Sequence, residues 1–168
     1  MTREVWVAHV ELSLSGGFLP EAPAPAETEF VTGIDRWTST VSTALEPCMV
    51  IDFTHTILAV SPSCCELLGL GRPADAVGRP LLGGVLRLID FTAGRGELTE
   101  PEMEKIPPLL ALTSKRLARG LMRVEPDDGD DGDLTVDAIS TPLWASEQVA
   151  ASLTFFSPVR TDFAPGRH

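Results

Sequence analysis

A chain of 168 residues supports one hydrophobic core with some chain to spare. Thirteen basic against 24 acidic residues leave a formal charge of -11, a field that repels phosphates, so neither nucleic acid nor an anionic membrane is an expected partner. No apolar run approaches the roughly 20 residues of a membrane-spanning helix, and the N-terminus lacks the pattern of a secretion signal, so the expected location is the cytoplasm.

Three cysteines, Cys48, Cys64 and Cys65, are an odd number, and neighbours in sequence rarely reach disulfide geometry, so reduced thiols are expected. Arginine greatly outnumbers lysine, and Ala, Gly and Pro are plentiful, a composition read here as that of a high-GC bacterial genome.

Residues 1–15 alternate, with Trp6, Ala8, Val10, Leu12 and Leu14 on one side and His9, Glu11, Ser13 and Ser15 on the other. A period of two predicts a half-buried strand. Residues 16–32 form a Pro/Ala-rich linker, because Pro20, Pro23 and Pro25 forbid helix and remove backbone donors. The strand is therefore an appendage expected to pair with a sheet edge, its own or another subunit's, with Trp6, Val10, Leu12 and Leu14 at the interface.

From Thr32 the period becomes helical. Ile34, Trp37, Val41 and Leu45 make a stripe, Thr32 and Asp35 resemble a capping box, and Pro47 ends the helix. Cys48 to Ile51 and Thr56 to Val60 are β-favouring runs joined by a turn at Asp52 to His55, a hairpin. Ser61-Pro62 opens a short helix as cap and first-turn proline, and Gly69 closes it. Residues 72–82 predict short helical turns, 85–89 an apolar run of undecided type, and Thr99 with Glu102 a capping box. Pro107-Pro108 breaks that helix. Alternating runs at 118–124, 134–141 and 149–156 then predict an antiparallel meander with an acidic tip at 127–133. The class is α+β: five principal antiparallel strands, with short helices between the second and third over one face.

That order resembles the PAS family. The resemblance rests on Leu45-Glu46-Pro47-Cys48-Met49-Val50-Ile51-Asp52, on Ile57 through Gly69 (Ile-Leu-Ala-Val-Ser-Pro-Ser-Cys-Cys-Glu-Leu-Leu-Gly), and on Val77-Gly78-Arg79-Pro80-Leu81-Leu82. It spans residues 33–159 and leaves 160–168 as a tail. It departs from the family at Ser61, often asparagine, and near His55, often glycine. The family implies a regulatory sensor acting through protein contacts, with the stripe Ile34, Trp37, Val41 and Leu45 as a flanking helix that packs on the sheet or pairs with a second copy. A homodimer is the expected assembly.

No cofactor is expected. Haem-binding relatives take an axial histidine from the helical half, and residues 98–118 contain none; flavin-binding relatives use an Asn-Cys-Arg-Phe-Leu-Gln run that is missing. Cys64-Cys65 has no further ligands nearby for a metal, and on a helix only one of the two should face inward. The acidic tip fails the calcium-loop pattern at Gly129 and Ala138. Nor is an enzyme expected: His9, His55 and His168 stand beside no nucleophile, and strand parity turns Asp137 away from Val136 towards Arg119 and Arg123. The candidate pocket is the inward face, assigned to Met49, Ile51, Leu58, Met122, Val136 and Leu153, with room at Gly120, Ala138 and Ala151 for a small apolar ligand. A carrier with an apolar cavity is the alternative function, and a small isomerase-type α+β enzyme a more remote one.

Overall fold

The computed structural model describes residues 26–83, 85–125 and 132–160, with side chains described from Gly33 onward. The expected N-terminal strand, with Trp6, Val10, Leu12 and Leu14, lies outside the described residues, as does most of the acidic tip.

Helix α1 runs Ala26–Ser42, so it starts inside the expected linker and passes straight through Thr32, which is no cap. Ala26-Glu27-Thr28-Glu29 directly after Pro25 is helix-compatible sequence without Gly or Pro, which explains the earlier start. The helix also ends before Pro47, and Leu45 lies past its end, 92% exposed. Thr38, Thr40 and Ser42 donate their hydroxyls to the carbonyls of Asp35, Arg36 and Thr38, a habit that weakens a helix end.

Strands β1 (Cys48–Asp52) and β2 (Ile57–Val60) form the predicted hairpin. Asp52 organises its turn: Oδ1 accepts from the Thr54 amide at 2.8 Å, the Thr54 hydroxyl at 2.7 Å and the Thr56 amide at 3.0 Å. His55 takes φ 65°, the left-handed conformation that glycine adopts more easily.

Helix α2 (Pro62–Leu68) is capped by Ser61, whose side chain accepts from the Cys64 amide, and stops at left-handed Gly69. Helix α3 (Pro73–Ala76) follows, then the two-residue strand β3 (Leu88–Ile89), all that forms from the undecided run. Helix α4 (Glu100–Met103) opens at Thr99, whose amide and hydroxyl both donate to Glu102 Oε2. Helix α5 (Pro107–Ser114) takes Pro107-Pro108 as its first turn, where a missing amide costs nothing.

Strands β4 (Ala118–Val124), β5 (Leu134–Ala145) and β6 (Gln148–Pro158) complete a six-stranded sheet ordered β2-β1-β6-β5-β4-β3, antiparallel throughout. β5 runs on through Pro142, past the expected end at Thr141. The proline is tolerated because β4 pairs no further than Ser140, so Pro142 has a ladder partner, Ser152, on one side only. Helices α2, α3 and α5 cover the inner face, and α1 lies across the outer face of β1 and β2.

Candidate functional site

The two sheet faces carry different chemistry, because both sides of the central strands are buried. On the inner face Met49, Ile51, Met122 and Val136 sit within 2% exposure in one packed cluster with Cys64, Leu68, Leu109 and Phe156. Leu58 and Leu153 do not join them. Both belong to the outer cluster under α1, with Val41, Cys48, Val50, Ala59, Leu143 and Ala151. In β6 the inward positions are instead Ser152, Thr154 and Phe156. The hydroxyls are satisfied there: Ser152 Oγ donates to the Pro108 carbonyl at 2.8 Å, and Thr154 pairs with Ser140 at 2.7 Å. A burial pattern that hides apolar residues on both faces removes the contrast on which strand parity depends. In β2 a register irregularity opposite Val50/Ile51 turns both Leu58 and Ala59 outward.

The room expected at Gly120 is taken by α5, since a Cβ there would meet Pro107 Cγ at 3.4 Å. A cavity of about 330 Å³ opens elsewhere, at the sheet margin beside β3. Its apolar wall is Leu68, Leu82, Val85, Leu86, Leu88 and Met103, and its polar rim Arg87, Glu97 and Glu125. None of the six residues assigned to a pocket from the sequence lines it. The flanking Gly69 and Gly83, both at positive φ, were a faint signal of a bend in that wall.

The rim continues into an ion-pair chain. Arg87 reaches Glu97 at 3.3 Å and Glu125 at 2.9 Å; Arg95 reaches Glu125 at 3.4 Å and also Asp133, which Arg123 holds as well. Burial works against the charge on Asp133, but hydrogen bonds from Arg95 and Arg123 prevail and hold its carboxyl below the usual range. Among the described residues no group of three His, Cys, Asp or Glu side chains is placed to hold a metal ion.

All three cysteines are buried, Cys64 and Cys65 both within the inner cluster, so the expectation of one inward thiol fails. Helix α2 is enclosed on more than one side, with Leu70 and Ala76 packed in the same cluster. Burial pushes each thiol above its ordinary pKa, Cys64 most of all.

The outer face is divided. α1 covers the β1–β2 side, burying Val41 and part of Ile34, but Trp37 remains 42% exposed. Beyond α1, Leu121, Ile139 and Phe155 on β4, β5 and β6 are exposed, Ile139 directly opposite Phe155. Beside them Arg119 binds Asp137 through three bonds, Nε to Oδ1 at 3.1 Å and to Oδ2 at 3.2 Å, and a terminal nitrogen to Oδ2 at 2.6 Å. Asp137 therefore faces away from Val136, as parity predicted.

No protein-family model matches the chain, and no curated protein matches it. Solved structures do. The PAS domain of a Colwellia psychrerythraea protein superposes with a TM-score of 0.53 at 15% identity, over 75% of this chain and 96% of that one. The chain has the PAS fold. A Rhodobacter sphaeroides LOV protein matches with a TM-score of 0.56 at 11% identity, over 79% of this chain and 70% of that one. The VqmA dimer of Vibrio cholerae, a LuxR-type receptor, matches at 0.53 and 15% identity over 74% of this chain, which spans only 51% of VqmA. In this PAS fold the sheet order β2-β1-β6-β5-β4 carries the five principal strands, and β3 adds a short sixth at the edge.

Proposed function

We propose that the chain is a regulatory sensor module of the PAS type that passes its signal through protein contacts, a second copy being the partner. The observation that carries this is the exposed apolar strip of Leu121, Ile139 and Phe155, with Trp37 of α1 also uncovered. Water-exposed aromatic and branched side chains on adjacent strands, next to a firm Arg119–Asp137 pair, have the composition of an interface core with a polar rim. Of the similar structures, VqmA is described as a dimer, which supports the same arrangement here. The N-terminal segment, whose apolar positions are Trp6, Val10, Leu12 and Leu14, adds a second association element in this reading.

Native mass spectrometry of the purified full chain tests the reading. A species of twice the 18.0 kDa chain is expected. A monomer at every concentration would contradict it.

A further inference from the structure

We propose that the cavity beside β3 binds a small molecule with an apolar body and one cationic head, an alkylammonium or arylalkylammonium, with the head at Glu97. The wall suits such a body. Leu68, Leu86 and Leu88 are buried members of the inner cluster, and Met103 is a half-buried thioether that adapts to irregular shapes. A volume of about 330 Å³ lies at the small end of ligand pockets, so the body is short.

The rim selects the head. Among the described residues it holds one positive side chain, Arg87, and two negative ones, Glu97 and Glu125. Glu125 is already served twice, by Arg87 at 2.9 Å and Arg95 at 3.4 Å. Among the described residues Glu97 has only the longer 3.3 Å contact to the same Arg87, and its side chain is 70% exposed. The less neutralised acceptor at the mouth is therefore Glu97. An ammonium gains that carboxylate without breaking the Arg87–Glu125 pair, whereas a carboxylate head would have to take Arg87 from a glutamate that holds it.

Three probes of equal chain length decide the matter: hexylammonium, hexanol and hexanoate, titrated into the full chain while Leu and Met methyl resonances are followed by NMR. Hexylammonium should perturb Leu68, Leu86, Leu88 and Met103, and should bind about three- to fivefold tighter than hexanol, the range of an exposed ion pair. Glu97→Gln should bring hexylammonium down to the hexanol level. Met103→Trp, which fills the wall, should weaken all the probes. Hexanoate binding as tightly as hexylammonium, no saturable binding by any probe, or indifference to both substitutions would overturn the proposal. Glu97 is exposed, so its variant tests the head without threatening the fold. The cavity wall belongs to the inner cluster and the contact strip to other residues on the outer face, so a monomeric chain could still bind the amine, and a dimer could fail to.

Discussion

Arg119 reaches from β4 to clasp Asp137 on β5, one strand over and diagonally across the outer face, with a terminal nitrogen 2.6 Å from Oδ2. The hydrogen bond from Arg119 holds the Asp137 carboxyl below its ordinary range, against the opposing pull of desolvation. A carboxyl whose folded pKa is depressed contributes stability above its unfolded value, near pH 4, and loses it as pH falls through the folded value. Arg119→Ala should therefore lower the melting temperature near neutrality, and the gap to the parent should close well below pH 4. A gap independent of pH would mean that packing of the arginine stem, not the ion pair, matters.

The β1–β2 turn offers a paired test in opposite directions. Asp52→Ala removes the acceptor for three donors and should cost about 1–2 kcal/mol by denaturant unfolding. His55→Gly relieves a side chain held at φ 65° and should stabilise by roughly 0.5–1 kcal/mol. Destabilisation by the glycine would show that the His55 side chain makes a contact worth more than the strain.

With Cys48, Cys64 and Cys65 all buried, the native protein should resist maleimide labelling, and all three should react once it is unfolded. Because burial raises each thiol pKa, stability should be undiminished well below about pH 8.5, where unfolded thiols are half ionised, and should fall as pH rises through and above it. Fast labelling of one thiol at neutral pH would reveal local opening of α2 or β1.

Much of this fold was legible because local signals agreed with the tertiary answer. Ser61-Pro62 and Gly69 bound α2, Thr99 and Glu102 open α4, and the alternating runs became β4, β5 and β6. Legibility failed where one element hid another. α1 lies on the outer face, so Leu153 is buried there while Ser152 turns inward to the Pro108 carbonyl, and the more apolar face of β6 is not the side that meets α5. The cavity has no periodic signature in the sequence because its wall comes from α2, β3 and α4 with the irregular chain between, and no single period links those residues. Ser152→Ala checks this inversion: losing a buried hydrogen bond should cost about 0.5–1.5 kcal/mol, where an outward serine would cost almost nothing.

The contact surface is tested most directly by light scattering on the full chain and on the double variant Leu121→Glu, Phe155→Glu. Both positions are exposed, so the isolated fold should keep its circular dichroism. The parent should have twice the 18.0 kDa mass of the chain and the variant 18.0 kDa. A variant that remains at the doubled mass, with its fold intact, would place the association elsewhere and contradict the outer strip as the contact surface.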